Sequence, residues 1–293
     1  MQQDLQVILA EKARGYTFPF AHSLELHANV FAEQNIAASD QLSELQACIE
    51  LLILALDIID DMQDQDNHES VWMKGNPALT LNASISLLTI FQSHLTEISN
   101  NNYITQNILK YLLQSIEGQH QDLYGVEDVN GYLEMTKHKS GSLMALTNVL
   151  GASFVNSDYN HIIEDYSYDL GIIAQITNDI QDALNFDEKS DWKSKKKTLP
   201  ILYLLNPSIK EGEIIKKYFN NQLSFEELLP HKNEIITIMK HSGALNFAFA
   251  QKYIHENRVM QKIDSLPLSP QKKRFLSEQL LKPNQLQVEM ESI

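Results

Sequence analysis

The stretch "IELLILALDIIDDMQDQD", Ile49 to Asp66, decides how this chain is read. Its first two-thirds is almost continuously apolar, the pattern of a helix covered on every side. Yet it carries Asp57, Asp60, Asp61, Asp64 and Asp66. Ionised carboxylates rarely sit in such surroundings without partners, because their desolvation is costly. On a helix, Asp57, Asp60, Asp61 and Asp64 stand at i, i+3, i+4 and i+7, which makes one acidic stripe. Repulsion along that stripe calls for a cation. Carboxylate oxygens without His or Cys suit a hard ion such as Mg²⁺ better than zinc.

The rest of the composition narrows the setting. The 293 residues can bury a large core, and 43% of them are hydrophobic, as in a globular protein. The net charge of −15, from 38 acidic against 23 basic residues, disfavours nucleic acid and anionic lipid as partners. One cysteine, Cys48, leaves no disulfide framework and fits a reducing cytoplasm. The N-terminus "MQQDLQVILAEKARGY" lacks the apolar core of a signal peptide, and no segment reads as a membrane span. The expectation is a cytoplasmic protein.

Helical periodicity runs through "QLSELQACIELLILALDII", "PALTLNASISLLTIFQSHLTEI", "NILKYLLQSIEGQHQDLY" and "YSYDLGIIAQITNDIQDAL". Strand alternation with hairpin turns is absent. Short breaks fall at 100–102, 155–160, 205–208 and 266–270, and "EKSDWKSKKK", 188–197, reads as a polar loop with a lysine cluster. The expectation is one all-α domain over 1–293, built as a helical bundle.

A second segment repeats the grammar of the first. "LGIIAQITNDIQDAL" is an apolar helix that ends in Asn178, Asp179 and Asp182, at i, i+1 and i+4. Two such helices can face each other across a bundle cavity, where metal ions would keep positions open for phosphate oxygens. Taken alone, a D-x-x-D in so acidic a chain reads equally well as a solvated helix face. An EF-hand reading of "DMQDQDNHESVW" fails for want of the central Gly and the final acidic ligand.

These residues resemble the trans-isoprenyl diphosphate synthases, over most of the chain. "DDMQD", 60–64, looks like the family's first aspartate-rich motif, and "NDIQD", 178–182, like its second, with Asn178 where Asp is usual. "GQHQDL", 118–123, "YLEMTKHKSGSLMALTNVLGA", 132–152, "KKKTLPILYLL", 195–205, and "HSGAL", 241–245, follow the family's other elements in order. The resemblance implies the isoprenoid-synthase helical bundle around a central apolar cavity, and a homodimer. It implies that Asp60, Asp61, Asp64, Asn178, Asp179 and Asp182 hold Mg²⁺, with Asp60, Asp61, Lys139 and Asp179 as the catalytic set. Lys74, Lys139, Gln175 and Lys196 would bind the donor diphosphate. Neutralising that leaving group yields an allylic carbocation, and the apolar cavity keeps water from it. Asp57 stays open between the metal site and a pair with a buried cation.

The pattern breaks where a chain-elongating synthase needs cations for a second diphosphate. "RGYTFPF", 14–20, stands where the family has G-K-x-x-R, and "WMKGNP", 72–77, replaces an Arg-Arg-Gly-x-Pro run with Met73 and Lys74. The tail "NQLQVEMESI" has no basic residue. All three losses fall on one substrate, so the acceptor is expected to be uncharged, with Tyr16, Phe18, Phe20 and Met73 at its entrance. This profile resembles a bacterial subgroup that prenylates a tryptophan of the competence pheromone precursor, a quorum-sensing peptide. The resemblance implies a geranyl or farnesyl diphosphate donor and a tryptophan-containing peptide acceptor. Three alternatives stay open: a chain-elongating synthase, a non-catalytic partner subunit, and a terpene cyclase. The cyclase pattern is disfavoured by Asp182 and Phe186 at its next two ligand positions.

Overall fold

The computed structural model describes residues 2–14, 18–33, 39–65, 67–98, 102–155, 158–184 and 192–282. The expectations for Tyr16, Asp66, Phe186 and the C-terminal tail lie outside them. The chain forms α1 (Gln2–Ala13), α2 (Pro19–Phe31), α3 (Asp40–Asp64), α4 (Val71–Lys74), α5 (Pro77–Ile98), α6 (Asn102–Tyr124) and α7 (Val129–Thr136). A π-helical turn, Lys137–Gly141, leads into α8 (Ser142–Ser153) and α9 (Asn160–Leu184). Then come α10 (Leu199–Leu205), α11 (Glu213–Phe219), α12 (Phe225–Leu228), α13 (Lys232–His241), α14 (Ala244–Ser265) and α15 (Pro270–Leu281). No strand occurs among the described residues, and no described helix is long and apolar enough to cross a membrane. The four segments with helical periodicity lie within α3, α5, α6 and α9.

The chain divides into two compact units, residues 1–113 with 144–164, and residues 114–143 with 165–293. In the first, α3 is the central element. It starts at Ser39, whose side chain accepts a hydrogen bond from the Leu42 N–H. It ends where Gln65 turns left-handed, at φ 54°, and its N–H bonds back to the Asp61 carbonyl. Leu52, Ile53, Leu54 and Ala55 are consecutive and no more than 3% exposed, so a full turn is covered all round. Leu54, Ala55 and Ile58 pack with Ala83 and Leu87 of α5 and Ile8 of α1. Each such Leu or Ile contributes about 1.5–3 kcal/mol by burial.

The second unit packs Tyr132 of α7 and Ile176 and Ile180 of α9 against Leu199 of α10, Ile215 of α11 and Met239 of α13. Trp192, 1% exposed, joins this core and anchors the chain just before the lysine cluster. Residues 193–198 are irregular backbone, so this buried aromatic, and no helix of their own, fixes where they start.

Candidate active site

In the first unit the acidic end of α3 meets α4. The Trp72 indole N–H donates to Asp61 Oδ2 at 2.7 Å, and the Asn67 side-chain amide donates to the same oxygen at 3.0 Å. Thr80 of α5 fixes α4 in turn, its hydroxyl donating to the Trp72 carbonyl at 2.8 Å. Asp60, Asp61 and Asp64 are all partly exposed. Asp57 pairs with a buried cation: Lys12 of α1, 6% exposed, reaches Asp57 Oδ2 at 3.4 Å. The protein packed around the Asp57 carboxyl raises its pKa to about 6; Lys12 pulls it down, and Asp61 and Asp60 add to the rise. Because 48% of that side chain reaches solvent, the pair itself is screened and weak. Lys74 is on the surface, in an ion pair with the exposed Glu69 at 2.8 Å. Phe20 and Met73 are half-buried and Phe18 is exposed.

In the second unit, two glycines allow a close approach of backbones. A Cβ on Gly118 of α6 would stand 2.1 Å from the Lys139 backbone nitrogen, and one on Gly171 of α9 would stand 2.4 Å from Gly141. Only glycine fits at either place. The π-turn carrying Lys139 is thereby pressed against both helices, an arrangement that often marks functional sites. Lys139 donates to Asp122 Oδ2 at 2.8 Å, and Lys196 reaches the same oxygen at 3.4 Å. Burial alone would raise the Asp122 pKa, but the charges of Lys139 and Lys196 outweigh it and hold the carboxyl below its usual range. Lys195 donates to the Tyr218 carbonyl at 2.8 Å, and Lys197 pairs with Glu127 at 2.8 Å. Of the stretch expected as a polar loop, 188–191 lie outside the described residues, and Lys195, Lys196 and Lys197 each hold a named partner.

Asp179, expected as a metal ligand, is enclosed by protein donors. It is 2% exposed, and protein donors take both of its oxygens. Oδ2 accepts from the Tyr132 hydroxyl at 2.6 Å and the Leu199 N–H at 3.1 Å; Oδ1 accepts from Gln175 Nε2 at 3.0 Å. Burial, with the Asp179 carboxylate beside it, drives the Tyr132 pKa well above its ordinary value. Asp179 thus joins α7, α9 and α10. Its neighbour Asn178 is exposed and Asp182 partly exposed.

These residues enclose a cavity of about 280 Å³, lined by Asp122, Lys139, Ser140, Gln175, Lys196 and Thr198 among others. The Thr198 hydroxyl oxygen is buried there and hydrogen-bonded to no protein group. A cationic cavity with a spare hydroxyl fits a phosphate oxygen. For the metal, no three His, Cys, Asp or Glu side chains among the described residues group closely enough to hold an ion unaided. Mg²⁺ takes one or two carboxylates and completes its shell with water and substrate phosphate. Asp60, Asp61, Asp64 and Asp182 are partly exposed, as such a role requires; Asp179 is buried and already holds three protein donors. Asp122, Trp72 and Thr198 carry the new geometry. They fall inside "GQHQDL", "WMKGNP" and "KKKTLPILYLL", but sequence reading assigns none of the three a role of its own, since each matters through what it touches in the fold.

The sequence profile of the polyprenyl synthetase family matches residues 21–234. The tryptophan prenyltransferase ComQ of Bacillus subtilis strain 168 is 35% identical over 268 residues, 90% of this chain and 88% of that protein. ComQ of Bacillus subtilis subsp. natto is 32% identical over 288 residues, covering 96% and 88%. Component 2 of the heptaprenyl diphosphate synthase of B. subtilis is 26% identical over 224 residues, covering 72% and 62%. Among solved structures, a geranylgeranyl pyrophosphate synthase superposes with a TM-score of 0.84 at 19% identity, over 96% of this chain and 90% of the other. The heptaprenyl diphosphate synthase of Staphylococcus aureus gives 0.78 at 19% identity, over 97% and 95%. The all-α fold is that of the isoprenyl diphosphate synthases, and the chain belongs to the polyprenyl synthetase family as a prenyltransferase.

Proposed function

We propose that this chain moves a geranyl or farnesyl group from its diphosphate to a tryptophan side chain of a quorum-sensing pheromone precursor peptide, with Mg²⁺. One contrast carries the reading. Lys139, Lys196 and the spare Thr198 hydroxyl converge on one cavity, whereas the cation positions for a second diphosphate hold Tyr16, Pro19 and Met73, and Lys74 is engaged with Glu69. The ComQ relatives, named as tryptophan prenyltransferases, support the same acceptor.

Lys139 and Lys196 hold and partly neutralise the donor diphosphate, and Asp122 keeps both amines in place until it arrives. Asp60, Asp61 and Asp64 on α3, and Asn178 and Asp182 on α9, are the residues that would hold Mg²⁺, which would supply the remaining charge neutralisation of the leaving group. Indole is electron-rich at C3 and attacks the allylic carbon without prior deprotonation as the carbon–oxygen bond to diphosphate breaks. C3 already carries the side chain and has no hydrogen, so the resulting cation is quenched when the residue's backbone nitrogen adds to C2 and loses its proton. Asp179, in the wall of the same cavity, positions Lys196 through the Leu199 backbone. We also read a homodimer: Leu79, Leu81 and Ile85 of α5 and Leu109 and Leu113 of α6 are exposed apolar residues that a second copy would cover.

The test is peptide-triggered diphosphate release. With Mg²⁺ and donor present, a tryptophan peptide should start release, and its tryptophan-to-phenylalanine version should not. Release that needs no peptide would favour a cyclase. Release started by isopentenyl diphosphate alone would favour chain elongation, the activity named for the heptaprenyl synthase component.

A further inference from the structure

A larger cavity, about 660 Å³, lies wholly within the first unit among α1, α2 and α3. Leu9, Phe18, Ala47, Leu51 and Leu54 make its apolar wall, and Glu50 is set into it. The volume falls in the range of ligand sites. None of the lysines that hold the donor diphosphate lines it.

Glu50 says what kind of ligand fits. It is 8% exposed, its Oε1 accepts the Ala21 N–H at 2.8 Å, and its Oε2 is buried and accepts no hydrogen bond. A buried acceptor without a donor is unfavourable until one arrives. The last torsion of a Glu side chain is soft, so the carboxylate can trade its Ala21 hydrogen bond for a donor in the cavity by rotating as a unit. The carboxylates of Glu25 and Glu50 in the wall disfavour a diphosphate, and Lys12, also in the wall, is already paired with Asp57. A prenyl tail would satisfy the apolar wall but bring no donor. A peptide segment brings both, an apolar side chain and a main-chain N–H.

The place on the helix sets the distance. Ala47, Leu54 and Asp61 stand seven residues apart on one face of α3. At 1.5 Å per residue, Leu54 and Glu50 lie roughly 10 and 16 Å along the axis from Asp61, which three to five extended residues span at about 3.3 Å each. We propose that this cavity is a docking site for the acceptor peptide, taking an apolar side chain three to five residues from the modified tryptophan while Glu50 accepts a peptide N–H. This rests on the tryptophan-acceptor reading of the active site.

The experiment uses synthetic peptides with one tryptophan and one leucine moved outward from it, beside N-acetyltryptophanamide, with the full chain, Mg²⁺ and geranyl or farnesyl diphosphate. The expected kcat/KM advantage of the best peptide over N-acetyltryptophanamide is about ten- to hundredfold, the worth of one buried leucine. It should peak with leucine three to five residues away. Ala47→Phe, which fills the cavity, should bring the advantage close to one without raising the KM of the donor. Glu50→Gln, which puts a second donor against the peptide N–H, should cut it about fivefold. A position-independent advantage, or one untouched by Ala47→Phe, overturns the docking site. A raised donor KM in Ala47→Phe also overturns it, by giving the cavity to the prenyl chain. If the unaltered chain prenylates neither peptide nor N-acetyltryptophanamide, the acceptor reading itself has failed.

Discussion

The acidic ends of α3 and α9 share one sequence grammar and have opposite environments. On α3, Asp60, Asp61 and Asp64 are partly exposed, and Asp61 is steadied from outside by the Trp72 indole and Asn67. On α9, Asp179 is sealed in and takes three donors from Tyr132, Leu199 and Gln175. The same residue type is therefore proposed for two jobs: a partly exposed carboxylate can reach a metal, whereas the buried Asp179 ties the lysine-bearing segment to the helices beneath it. The difference turns on burial, which a D-x-x-D pattern does not encode.

The largest effect should separate the two ends by activity. Asp60→Asn should lower prenyl transfer on the order of 10³-fold, the scale of losing one preorganised charge at a transition state. Its urea midpoint should barely move. Should Asp60→Asn keep near-normal turnover, the open end is not the metal end.

Stability should respond in the reverse order. Asp179→Ala strands the Tyr132 hydroxyl and the Leu199 N–H in the core and should cost about 3 kcal/mol in urea unfolding. Asp64→Ala should stay within about 0.5 kcal/mol. Equal losses in the two variants would erase the contrast.

A pH series sharpens the comparison of the units from another side. His27 of α2 is buried in the first unit, its Nδ1–H donating to the Ser23 carbonyl at 2.7 Å, and burial lowers its pKa to about 4, with that bond opposing. The unfolded chain takes up the proton near pH 6.5, so His27 adds stability above that pH and loses it as the pH falls toward 4. The shift corresponds to about 3 kcal/mol. His27→Asn should flatten the acid limb of the urea midpoint between those values; an unchanged limb would assign it to other groups.

The smallest effect concerns the donor. Lys196→Met removes one of two cations beside Asp122 and should raise the donor KM about tenfold, because Lys139 remains. A change in kcat with an unchanged KM would mean that Lys196 acts only in the transition state.

The helices were legible because α3, α5, α6 and α9 are long and periodic, and the acidic stripe because four carboxylates share one face. What stayed hidden depends on contacts between distant segments. Gly118 and Gly171 show their purpose only where backbones meet at the π-turn. Asp122 matters because two lysines, 17 and 74 residues away, reach one oxygen. The lysine cluster looked solvated because its anchor, Trp192, gives no sign in sequence that it is buried.

The most direct test of the central claim is mass spectrometry of the products when isopentenyl diphosphate and a tryptophan peptide compete for one allylic donor. A changed acceptor predicts a peptide heavier by a single prenyl group and no elongated diphosphate. An elongated diphosphate beside unmodified peptide would contradict it.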